Sequence, residues 1–146
     1  MRAIAAREVH RQYLAVCHGV PVQGAFAIEA PIGRDPQSRI RMAVVASGKP
    51  ARTDVEVVAA RDGFAALRCT LHTGRTHQIR VHLASRGHPL VADSLYGGVA
   101  ALGMTRQALH AARLAFEHPL RAQAMSFEAP PPADFASAWR TVTGSA

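Results

Sequence analysis

Apolar residues along the 146-residue chain fall in short runs separated by Gly, Pro, Asp and Ser clusters, the pattern of strands joined by turns. Gln12 to His18 forms one run, ended by Gly19-Val20-Pro21, and Ala25 to Ala30 a second, ended by Pro31. The stretch "PIGRDPQSR" carries Gly33, Asp35 and Pro36 and predicts a loop, followed by a strand over Ile40 to Ala46. Arg52 to Ala60 alternates, with Thr53, Val55 and Val57 on one side and Asp54 and Glu56 on the other, so it predicts a half-buried strand. Asp62-Gly63 then predicts a tight turn into Phe64 to Leu71, where Leu67, Cys69 and Leu71 share a face. Leu109 to Glu117 and Ala124 to Glu128 predict a further pair of strands, turned by Pro119 to Arg121.

Two stretches break the strand pattern. Thr76 is placed to cap a short helix stopped by Gly87 and Pro89, with Ile79 and Leu83 at i and i+4 and His77 and Arg80 three apart on one face. Asp134 is placed to cap a last helix holding Phe135 and Trp139. The elements predict one α+β domain, mainly antiparallel, with no repeat, linker or low-complexity tract.

Composition narrows the class of partner. Net charge is +7, and of 17 cationic side chains only Lys49 is a lysine, a balance that favours a polyanion such as nucleic acid. Biased codon usage would give the same excess of Arg. A hydrophobic content of 49% and a charged content of 18% exclude a disordered chain. No apolar run reaches the roughly 20 residues of a membrane span and the first residues lack a secretory pattern, so the reading is cytoplasmic. Cys17 and Cys69 lie outside any CxxC pair and read as buried thiols.

Candidate chemistry is sparse. His77 and His82, five apart, stand about 140° apart around a helix axis. With no HExxH and no Cys/His cluster at zinc spacing, no metal site is expected. Walker A, GxGxxG and GxSxG patterns are absent as well. A basic cluster remains: Arg34, Arg39, Arg41, Lys49 and Arg52, with Asp35 the one acid between them. Such a cluster serves either as a phosphate grip or as a solvated face.

The stretch "LHTGRTHQIRVHLASRGHPLVADSLYGG", Leu71 to Gly98, resembles a motif region of RluA-type RNA pseudouridine synthases. "RQYLAVCHG" resembles the family's tyrosine-bearing strand, and "APIGRDPQSRIRMAVVASGKPART", "RQALHAARLAFEHPL" and "MSFEAPPPADF" resemble the segments around it. The resemblance implies an α+β catalytic domain on a bent antiparallel sheet. It implies isomerisation of uridine to pseudouridine in ribosomal or transfer RNA, without metal or cofactor. It assigns Tyr13 to the tyrosine lying against the flipped base and Arg80 to the arginine that holds the nucleophilic aspartate ionised. Arg75 and His77 become RNA contacts or helix-start hydrogen-bond formers, joining Arg34, Arg39, Arg41, Lys49 and Arg52 as RNA-binding candidates. Asp93 and Tyr96 of "DSLYG" read as structural.

The family's aspartate sits in a His-Arg-Leu-Asp segment upstream of the tyrosine strand, and none of Asp35, Asp54, Asp62, Asp93 and Asp134 lies in such a segment. The expectation is therefore a partial catalytic domain over residues 1–146, inactive alone, with Arg80 left without its carboxylate. A non-catalytic RNA-binding module and a degraded remnant of the enzyme are the alternatives.

Overall fold

A computed structural model describes residues 10–118 and 123–144. Its main sheet has six strands in the order β2-β5-β6-β1-β7-β8, every neighbouring pair antiparallel. These are β1 (His10–His18), β2 (Ala25–Glu29), β5 (Arg52–Arg61), β6 (Phe64–Leu71), β7 (Leu109–His118) and β8 (Gln123–Glu128). A separate two-stranded ribbon pairs β3 (Ile32–Arg34) with β4 (Met42–Val44). Helix α1 spans Gln78–Ser85 and helix α2 spans Ala133–Thr143.

The sheet carries a packed cluster on each face, and the period-2 alternation of β1 sorts its side chains between them. Ala15 and Cys17 point to the α1 side, where they pack with Val55, Leu67, Cys69, Leu71 and the α1 residues Ile79 and Leu83. Val16 points to the other side and packs with Ala66, Val91, Met104 and the α2 residues Phe135, Ala138 and Val142. The two cysteines are buried, and burial pushes both thiols up to about 12, so they stay protonated.

The β5–β6 hairpin forms as its alternation predicts. Asp62 and Gly63 both take positive φ, 54° and 82°, the left-handed pair that matches strand twist in a two-residue turn. A register shift between Val57 and Ala59 bulges β5. The strand over Ile40 to Ala46 shortens to Met42–Val44. The "PIGRDPQSR" stretch also contains a strand, because the Ile32 N–H and C=O pair with Lys49 and β3 zips onto β4. The turn expected over Pro119 to Arg121 lies outside the described residues.

Both helix starts differ from the expected caps. Helix α2 is capped at Pro132, and Asp134 falls inside its first turn, accepting from its neighbour Phe135 N–H and from Arg106. Helix α1 begins after His77, which takes the left-handed conformation at φ 56°, and Thr76 stays exposed. The expected stop does form: Gly87 is left-handed at φ 83°, with its N–H on the Ala84 carbonyl and the His88 N–H on the Leu83 carbonyl.

Candidate catalytic and RNA-contact site

The start of α1 is assembled by Gln78, a buried side chain that the sequence analysis did not single out. Its Oε1 accepts from the Thr73 hydroxyl at 2.7 Å and from the Arg75 backbone N–H at 3.0 Å. Its Nε2 donates to the Arg52 carbonyl at 2.8 Å and to Thr53 Oγ1 at 2.9 Å. The turn between β6 and α1 is thus held from within the helix, while the cap position itself falls on His77 and has no side-chain cap bond.

The network continues inward. His82 is fully buried, and its Nε2 donates to the Ala30 carbonyl at 2.9 Å. Its Nδ1 must then accept, and the Thr53 hydroxyl donates to it at 2.8 Å. Burial holds His82 below the usual histidine range and keeps it neutral. Gln78 and His82 stand at i and i+4 on one buried stripe, and that polar spacing beside Ile79 and Leu83 is the sequence signal for the network.

On the adjacent stripe Arg80 is not left without a carboxylate. Its Nε and Nη2 donate to the two oxygens of Asp93, at 3.0 and 2.9 Å. Asp93 is 1% exposed and the Arg80 side chain 14%, so this is a buried, bidentate pair. Asp93 is delivered by the turn that leads into the short 3-10 segment Ser94–Tyr96, and its carbonyl accepts from the Tyr96 and Gly98 N–H groups. The expectation that Arg80 lacks a partner fails because this turn folds the second motif piece back onto α1.

Tyr96 joins three elements. Its ring lies under the Arg80 guanidinium, 5.1 Å from Cζ to centroid. Its hydroxyl accepts from the Met42 N–H of β4 at 2.9 Å and pairs with His77 Nδ1 at 2.8 Å. The left-handed turn at His77 aims the imidazole at this hydroxyl. Burial, and then the Arg80 charge, hold His77 below the ordinary histidine range, while burial raises Tyr96. His77 and Arg80 therefore do share a face, and their common partner is Tyr96.

Tyr13, half-buried on β1, packs against the cluster that holds Ile79 and Leu83, on the α1 face of the sheet. Arg75 donates through Nε to the Pro50 carbonyl at 2.8 Å. The basic cluster divides. Arg41 is clamped by Asp35, its Nε and Nη2 both 2.9 Å from Oδ2. Arg52 pairs with Asp54 at 3.0 Å and Glu29 at 3.4 Å. Arg34 donates to the Arg39 carbonyl at 2.9 Å, and among the described residues neither they nor Lys49 and Arg75 have a carboxylate partner. Arg34, Lys49 and Arg75 line one open cavity of about 430 Å³ with Gly33, Gly74 and Thr76. Among the described residues no three His, Cys, Asp or Glu side chains converge to hold a metal.

These features define an α+β chain whose helix-bound arginine, aromatic latch and unneutralised cations gather around the exit of β6. Residues 1–85 match the RNA pseudouridylate synthase family. The chain belongs to that family. It is 45% identical over 144 residues to ribosomal large subunit pseudouridine synthase D of Nitrosomonas europaea, covering 93% of this chain and 42% of that one. It is 47% identical over 126 residues to an uncharacterized RNA pseudouridine synthase of Bacillus subtilis, covering 86% of this chain and 44% of the relative. The structure of human RNA pseudouridylate synthase domain containing 1 superposes with a TM-score of 0.73 at 32% identity, covering 86% of this chain and 56% of that one. The chain thus spans about four-tenths of the length of these curated relatives. No helix among the described residues is long and apolar enough to cross a membrane.

Proposed function

We infer that residues 1–146 form part of a single catalytic domain that isomerises uridine to pseudouridine in structured ribosomal or transfer RNA in the cytoplasm. The observation that carries this reading is Arg80, fixed by Asp93 and stacked on Tyr96 at the start of the motif helix. Its Nη1 is outside the Asp93 fork and is the free edge from which a nucleophilic carboxylate would be held ionised. In the reaction the bond from C1′ to N1 of uracil breaks, the base turns, a bond from C1′ to C5 forms, the C5 proton leaves, and N1 takes up a proton. Tyr13 lies against the base, and Arg34, Arg39, Lys49 and Arg75 hold phosphates, with Arg41, Arg52 and His77 in supporting positions.

None of the chain's own aspartates fits the nucleophile. Asp93 is buried with both oxygens on Arg80, while Asp35, Asp54 and Asp134 are paired with Arg41, Arg52 and Arg106. Asp62 sits exposed on a hairpin turn. The reaction needs a carboxylate beside the flipped base. Residues 1–146 alone are therefore expected to form no pseudouridine. Tritium release from RNA labelled at uridine C5 measures this directly. Adding an N-terminal extension that carries a His-Arg-Leu-Asp segment should start turnover, and Tyr13→Phe or Arg80→Ala in that protein should then slow it sharply. Turnover by residues 1–146 unaided would overturn the assignment. RNA binding that persists without turnover after the extension is added would favour the non-catalytic module.

A further inference from the structure

Arg11 is the one described residue whose buried polar side-chain atom finds no partner. Its Nε is shielded from solvent and makes no hydrogen bond, and no ion pair involves its guanidinium among the described residues. A buried charged donor left unmade is expensive, and native structures tolerate one mainly where something else completes it. Arg11 is two residues before Tyr13 on β1, so the two side chains leave the strand on the same face. That face carries α1.

The position of the guanidinium is set by Gly74. A Cβ built on Gly74 would lie 2.5 Å from Nη1 of Arg11 and 3.1 Å from both Cζ and Nη2. Gly74 has no positive φ, so the backbone there does not require glycine. A side chain there would displace the Arg11 guanidinium, the far end of a flexible side chain that occupies its space. Gly74 also lines the cavity shared by Arg34, Lys49 and Arg75. Arg11 therefore lies along the edge of a pocket whose cations have no acid to neutralise them among the described residues.

We propose that Arg11 and the Gly74 pocket form a binding site for one RNA phosphodiester, with the planar Arg11 fork gripping two of its oxygens. A guanidinium with open N–H groups matches two phosphate oxygens in a way a lysine cannot. The neighbouring Arg34, Lys49 and Arg75 give the positive field that a phosphate needs and that a single internal carboxylate would not. The site rests on the RNA reading above and adds Arg11 to it as a phosphate-positioning residue beside Tyr13.

The test is a salt titration of affinity for a fluorescein-labelled RNA hairpin with a uridine-rich loop. The chain itself should bind with a log–log slope set by the phosphates it neutralises. Arg11→Met should weaken binding roughly tenfold and flatten the slope by about 0.7–0.9, one phosphate's share. Its thermal midpoint should be unchanged or higher, because the substitution removes an unpartnered buried donor. Gly74→Ala keeps every charge but displaces the guanidinium, so it should weaken binding in the same direction. Arg140→Gln, an exposed cation on α2 across the sheet, should change neither affinity nor slope. Binding without any salt dependence would overturn the RNA reading and this site with it. A normal slope in the wild type that both Arg11→Met and Gly74→Ala leave intact would overturn this site alone.

Discussion

His82 shows how a single protonation can be linked to the whole motif. As the neutral ring it donates to Ala30 and accepts from Thr53, whose oxygen in turn accepts from Gln78. A proton on Nδ1 would remove the acceptor and place a charge in a fully buried site. Burial depresses the folded-state pKa of His82, and burial with the Arg80 charge does the same for His77. A depressed pKa means that the unfolded chain binds protons more readily, so the stability these rings lend is complete above about 6.5 and falls as pH drops below it. Denaturant midpoints should therefore be lower at pH 5 than at pH 7.5. His82→Asn should lose stability at both values and shrink the difference between them. A midpoint that is equal or higher at pH 5 would refute the assignment of His82 as a buried neutral ring.

Among the elements, the β5–β6 hairpin holds the motif in register, because β6 ends at Leu71 and the chain turns at once into Thr73 and Gln78. Its own turn depends on two left-handed residues, of which Gly63 has φ 82°. An alanine there meets no neighbouring atom but must take a conformation that costs an L-residue about 1–2 kcal/mol. Gly63→Ala should lower stability in urea by that amount without changing the fold. Gly24→Ala is the contrast: it has open space and no positive φ, so it should be neutral or slightly stabilising. Equal effects at the two glycines would show that turn conformation does not limit the hairpin. The α1 start is a different case. There the sequence points to Thr76 as cap, but the cap position falls on His77 without a side-chain cap bond. The Gln78 amide instead holds the turn before the helix, because it reaches the Thr73, Arg75, Arg52 and Thr53 groups together.

Across the whole molecule, charge is distributed unevenly once internal pairs form. The net +7 suggests a generally basic surface, yet Arg41, Arg52, Arg68, Arg80 and Arg106 all face carboxylates. The cations left over include Arg34, Arg39, Lys49 and Arg75 near the β3–β4 ribbon and the β6 exit. In the RNA salt titration, Arg39→Ala should reduce the slope by about 0.7–0.9 if it neutralises one phosphate. Arg41→Ala should reduce it less, since Asp35 already holds that guanidinium. A larger effect at Arg41 than at Arg39 would mean that the Asp35 pair opens on binding. The ribbon is hung on the motif through the Met42 N–H and the Tyr96 hydroxyl, so the basic face and Arg80 are positioned by one tyrosine.

The sequence by itself determined the strands of the main sheet, the Asp62-Gly63 turn, the Gly87 stop and the family, but not β3, because alternation, turn residues and contiguous motif pieces are local signals. It also brought the basic cluster to attention by residue type, and the family resemblance brought Tyr13 and Arg80. Only the tertiary structure decided who pairs with whom. Asp93 meets Arg80 across thirteen residues, Tyr96 meets Met42 across fifty-four, and Gln78 meets Arg52 across twenty-six. Arg11 is divided from Gly74 by almost the whole described half of the chain before the motif, and nothing in the local pattern of either residue signals that they touch. Such contacts are set by how the strands stack and by which turn folds back, so they follow from the closed fold rather than from spacing along the chain.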